Sequence, residues 1–176
     1  MAHTTDPSPI GNFTGAHAGI VKRLKALDEL PSLLAPAERA RQIAEQSLEF
    51  FREAIFEHHL EEERELFPAV LASAQAGDER QRVEQITRRL TQEHRHVEAL
   101  WRSLEKGLKQ VAKGQSTTLD IGDLQRLVQE YQAHAAYEEA EFLPLSETIL
   151  GRNSNHMAAL GMSLHMRHVK PGPAYI

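Results

Sequence analysis

The chain has 176 residues, 41% of them apolar and 26% charged, which fits one domain with a real core and the composition of an ordinary soluble protein. Its formal net charge is -5 and its Lys and Arg form no dense run, which argues against nucleic acid or a membrane surface as the partner. It has no cysteine, so disulfides, thiolate chemistry, iron–sulfur clusters and Cys-based zinc sites are excluded, and any metal must be held by His and carboxylate.

The opening MAHTTDPSPIGNF has no apolar core of signal-peptide length, and no window approaches the roughly 18 apolar residues of a spanning helix. A cytoplasmic protein is expected. Residues 1–11 are rich in Thr, Asp, Pro and Ser and read as a loose tail. From Phe13 to Leu30, Ile20, Val21, Leu24 and Leu27 fall at helical spacing. The stretch Pro31 to Pro36 is expected to break that helix, with Pro36 in the first turn of the next. The second helix runs to about Ser73, with Pro68 kinking or ending it near Phe67. Gly77-Asp78 reads as a stop followed by an N-cap.

A third helix is expected from about Glu79 to Lys113, stopped by Gly114. Asp120 caps a fourth that reaches about Ile149, again with a proline near its end, Pro144, and Gly151 closing it. A short fifth helix is expected between Ser154 and Met166. No segment alternates like a strand. The expected fold is all-α, an up-down-up-down antiparallel four-helix bundle over residues 12–150, followed by a short helix and tail over 151–176.

The second and fourth helices carry the same phrase. His58-His59-Leu60-Glu61-Glu62-Glu63-Arg64-Glu65-Leu66-Phe67-Pro68 aligns without gaps on His134-Ala135-Ala136-Tyr137-Glu138-Glu139-Ala140-Glu141-Phe142-Leu143-Pro144. His, three Glu, two bulky apolar residues and the proline coincide. In the first and third helices, His17 and His94 are each followed by apolar residues at the same spacing: Ile20, Leu24, Leu27 and Val97, Trp101, Leu104. The chain therefore reads as a duplicated two-helix unit.

Residues four apart share a helix face. His58 with Glu62, and His134 with Glu138, thus point together, on faces that also carry Ile55 and Leu66 or Tyr131 and Phe142. A carboxylate in a core costs several kcal/mol when unpaired. No Arg or Lys lies on these faces, so bound dications are the expected compensation. Imidazole with carboxylate suits Fe, Mn or Zn rather than Mg or Ca. Four His and two Glu exceed one tetrahedral zinc. The expected ligands are His17, His58, Glu62, His94, His134 and Glu138. Two octahedral ions sharing them and an oxo or hydroxo bridge would keep roughly two positions open to O2, peroxide or water. His59 has Glu63 four residues on, but its mirror is Ala135, so it reads as a flank residue. Glu98, four after His94, is a minor candidate ligand, and Glu61, Glu63, Glu65, Glu139 and Glu141 read as charge on the outer face or around the site. Tyr131, one turn before His134, reads as packing.

These residues resemble the hemerythrin HHE cation-binding domain family over roughly residues 12–150. The resemblance implies a carboxylate-bridged di-iron centre, two Fe ions with Mn or Zn as substitutes, and small ligands such as O2, H2O2 or NO as partners. The O2-carrying members have a second His four residues away on the third helix and an Asp as the last carboxylate. Here those places hold Leu90 or Glu98, and Glu138. The pattern is similar instead to the four-His, two-Glu bacterial branch, linked to peroxide decomposition, oxygen or nitric oxide sensing and iron handling. Ferritin-like di-iron sites use Glu-x-x-His, the opposite order and a different spacing. The leading expectation is a non-haem di-iron protein that binds or reacts with O2-derived ligands, peroxide decomposition included. The alternatives are a non-catalytic oxygen, nitric oxide or iron-binding sensor, and a plain structural bundle.

Overall fold

A computed structural model of the chain describes residues 9–152, and every element in that range is helical. The first rod is continuous. It comprises α1 (Pro9–Phe50), a π turn (Phe51–Ile55), α2 (Phe56–Glu61), a second π turn (Glu62–Leu66) and α3 (Phe67–Ser73). After a turn at 74–77 come α4 (Asp78–Ala112), then α5 (Ile121–Tyr137), a third π turn (Glu138–Phe142) and α6 (Leu143–Leu150). The short fifth helix expected after Ser154, with His156, His165 and His168, lies outside the described residues, as does most of the expected N-terminal tail.

The expected ends of the later helices hold to within a residue, but Asp78 is not the expected N-cap: it is the first residue of α4, the N-cap is Gly77, and no side chain caps this end. Gly77 turns the chain at φ 101°, a conformation that favours glycine. The Asp120 side chain accepts a hydrogen bond from the Asp123 amide at 2.9 Å, capping α5.

The expected break at Pro31–Pro36 does not occur: both prolines lie inside α1. Between Gly19 and Gly77 the sequence has no glycine, so nothing supplies the conformation that reverses a helix. Each proline withdraws one donor, but the whole stretch is exposed and water can satisfy the freed carbonyls. Beyond Pro36, Arg41 and Gln42 donate to Glu38 at 2.8–3.1 Å and hold the next turn. The rod enters the packed part of the molecule only at Ala44, the first buried residue of α1 in the described range.

Pro68 does not end its helix either. The ladder widens ahead of it: the Phe67 amide donates to the Glu62 carbonyl, five residues back. The fourth helix repeats this before Pro144, where the Leu143 amide donates to the Glu138 carbonyl. A single π turn absorbs a proline that cannot complete the normal rung, and both such turns begin at the glutamate of the repeated phrase.

The core lies in two apolar layers. One joins Phe67, Val70, Val83, Ile86, Leu90, Phe142, Ile149 and Leu150; the other joins Ala44, Val97, Leu100, Trp101, Leu104, Leu108 and Leu127. The buried polar groups His59, Glu62, His94, His134 and Glu138 belong to neither and share the elements between them.

Candidate metal centre

Three elements deliver donors to this polar zone. The first rod brings His58, His59 and Glu62, α4 brings His94, and the last helix brings His134 and Glu138. They form two groups whose ligand atoms lie within 4.8 Å of one another: His59 with His94 and His134, and His58 with Glu62 and Glu138. The groups touch. His94 Nε2 is 3.2 Å from Glu62 Oε2, and His134 Nε2 is 3.9 Å from Glu138 Oε2. His58 Nε2 is 3.3 Å from Glu62 Oε1.

Two imidazoles are aimed by carboxylates behind them. His94 Nδ1 donates to Glu63 at 2.8 Å, and His134 Nδ1 donates to Glu93 at 3.1 Å. An ionised carboxylate only accepts, so the proton sits on Nδ1 and Nε2 is left to face the site. Both carboxylates are anchored in turn, Glu63 by Arg95 and Glu93 by Arg89 at 2.7 Å. Phe67 and Phe142, edge to face at 5.0 Å, close the adjoining apolar layer, with the Phe67 ring 6.0 Å from that of His94.

Burial sets the charge states. His59 is held down to about 3 by burial and by the positive potential of His94, so it is a neutral imidazole. Burial also lowers His134, against the pull of Glu93. His94 goes the other way: burial opposes its charge, but Glu62 and Glu63 outweigh that and raise it. Glu138 is pushed up to about 9 by burial and by Glu62 beside it. Glu62, although burial favours its neutral form, is brought down to about 2 by His94, Glu138 and His58. Burial and the carboxylate beside it thus favour the neutral form of Glu138.

Among the described residues, five buried polar side-chain atoms have no hydrogen-bond partner: both ring nitrogens of His59, both carboxylate oxygens of Glu62, and His94 Nε2. Native interiors pair nearly all such atoms, and each unpaired one costs about 1–3 kcal/mol. Their chemistry, imidazole and carboxylate, is a donor set for a transition metal. The residues therefore fit the metal implied by the sequence pattern.

Of the six expected ligands, five are brought together. The sixth, His17, is exposed on α1 and belongs to neither group. His59 was read as a flank residue, and the structure corrects this: it is 1% exposed, central, and stacked on the His94 ring at 3.9 Å. The His58-His59 doublet carried that signal, because His59 and Glu63 repeat the i, i+4 spacing; comparison with Ala135 hid it. Glu63 and Glu93 orient the imidazoles, and Glu93 had no sequence signal beyond standing next to His94. Glu98 is occupied by Arg95 at 3.1 Å and Arg102 at 3.0 Å, with His59 Nδ1 3.6 Å away. Tyr131 packs with its ring 6.1 Å from that of His134.

An all-helical fold with convergent buried imidazoles and carboxylates defines a metal-binding helical bundle. The profile of the Hemerythrin HHE cation binding domain matches residues 8–146, and the chain belongs to that family. A protein of Haemophilus influenzae, described only as uncharacterized, is 26% identical over 158 residues, covering 86% of this chain and 88% of its own length. No solved structure matches the chain. Among the described residues, no helix is long and apolar enough to cross a membrane.

Proposed function

We propose that the chain is a non-haem di-iron protein whose centre binds small O2-derived ligands, with decomposition of hydrogen peroxide as the reaction. The five unpartnered buried atoms on His59, Glu62 and His94 carry this reading, because they are shut inside the bundle among other groups that can ligate a metal. His59, His94 and His134 would hold one ion, and His58, Glu62 and Glu138 the other. Bound iron supplies Lewis acidity and a change of oxidation state.

The protein's own part is preparation. Glu63 and Glu93 keep the Nδ1 protons of His94 and His134 away from the site. Glu138, kept neutral by burial and by Glu62 beside it, would give up its proton on holding a cation, so loading would release acid. Phe67 and Phe142 exclude water from one side.

The test is metal analysis of the protein as purified and of the apo-protein reconstituted with Fe(II), followed by optical spectra under air, peroxide and nitric oxide. Two irons per chain, a near-ultraviolet band and O2 evolution from peroxide are expected. A reversible spectral change with O2 or nitric oxide and no turnover of peroxide favours the sensing alternative. Less than one iron per chain, unchanged by His94→Ala, sinks the proposal.

A further inference from the structure

The N-terminal arm of the rod is apolar where it should be covered. Residue 17 and residues 19–43 are all exposed. Ile20, Leu24 and Leu27 are 53–60% exposed, whereas their counterparts in the repeat, Val97, Trp101 and Leu104, are 3% exposed or less. Leu30 and Leu34 prolong the stripe. At 1.5 Å per residue the arm from His17 to Ile43 is about 40 Å long, far more apolar surface than a monomer ordinarily leaves open.

The bundle has a matching open side. α4 packs against both the first rod and α5, covering one flank of that pair. Ile121, Leu124 and Val128 recur at helical spacing along α5 and are exposed, so α4 does not cover that face, and Phe50 on the rod is exposed too. His58 is 51% exposed although its neighbour Glu62 is buried.

We propose that two copies of the chain exchange arms, so that the arm of each lies along the open side of the other and His17 of the partner subunit reaches the centre at His58. A continuous helix cannot return to its own bundle, and α1 runs unbroken through Pro31 and Pro36. A second copy needs no reversal. If the two rods run antiparallel with His17 level with Glu62, they cross midway, at about residues 39–40. There Glu38 of each comes level with the partner's Arg41, opposite charges at the crossing. The exchange stands on the arm and the open side; only the role given to His17 rests on the metal reading.

Two measurements test this. Light scattering of the metal-free chain should give about twice 19.8 kDa. The double variant Leu24→Asp/Leu27→Asp should fall to the monomer mass while remaining helical by circular dichroism. Next, differently tagged His17→Ala and His58→Ala chains are co-expressed, the mixed dimer is isolated and loaded with Fe(II), and iron is counted. Each variant alone should hold less iron than the wild type. The mixed dimer joins an intact bundle to an intact arm at one of its two centres and should recover about half the wild-type iron. A monomeric wild type overturns the exchange, as does a dimer whose mass survives the double Asp variant. A mixed dimer no better than the single variants, or a His17→Ala chain with full iron, overturns the role of His17. A dimer that loses its mass on the double substitution but never binds iron leaves the exchange standing and removes the metal reading.

Discussion

The two halves of the repeat carry nearly the same phrases and meet different fates. His94 in the second half is fully buried, whereas His17 in the first is exposed on an arm beyond the core. His134 is buried, but its mirror His58 is half exposed and the inward place is taken by His59. The bulky pair changes in the same direction: Phe67 and Phe142 are both buried, although strict alignment pairs Phe67 with Leu143, which is 42% exposed. The first rod contains the π turn Phe51–Ile55, which has no counterpart in α5, and an extra residue in a turn rotates the side chains beyond it about the helix axis. A sequence repeat thus sets which chemistry recurs, while the local helical phase decides which member of a neighbouring pair faces inward.

The comparison can be broken most forcefully at the phenylalanines. Phe142→Ala should cost about 3–5 kcal/mol of unfolding free energy by leaving a cavity, and Phe67→Ala should behave alike despite its different place in the alignment. Leu143→Ala should cost under about 1 kcal/mol, in keeping with its exposure. Urea unfolding of the metal-free proteins at one protein concentration reads all three. A severe Leu143 effect with a mild Phe67 effect would restore the strict mirror.

Removing iron comes next. On the proposed function, ligand binding to the folded state alone stabilises it by about 4 kcal/mol at a thousandfold excess over Kd. The chelated protein should therefore melt at a lower temperature. Equal melting after verified iron loss would argue that the donors do not hold it.

The carboxylates behind the imidazoles sharpen the contrast further, because they act on the two helices that contribute one His each. Glu63→Gln and Glu93→Gln should each weaken metal affinity by about tenfold to a hundredfold while leaving the helix content unchanged. Competition with a chromophoric chelator measures this. Unaltered affinity in both variants would reduce the pairs at His94 and His134 to packing.

The smallest effect lies at the far end of the second half, where Arg152 pairs with Glu79 at 2.9 Å and holds its carboxyl down to about 2. A depressed folded-state value stabilises above the unfolded value near 4.5 and is lost as pH falls towards 2. The stability difference between wild type and Glu79→Gln should accordingly be small at neutral pH and vanish through that acid window. A difference that grows on acidification would reverse the sign of the coupling.

The sequence by itself determined the helical class, the two-unit repeat, the ends of α4, the start of α5, and five of the residues that converge. These come from periodicity, from caps such as Asp120, and from i, i+4 spacing, all local along one helix. Tertiary structure alone decided the rest. It chose His59 over a solvent-facing reading, assigned Glu63 and Glu93 to His94 and His134 on neighbouring helices, and turned Glu98 to its arginines. It also carried the rod through Pro31 and Pro36, because a proline weakens an exposed helix without reversing it when no glycine is there to make the turn. Each of these depends on what another helix brings alongside, and spacing within one segment holds no record of that.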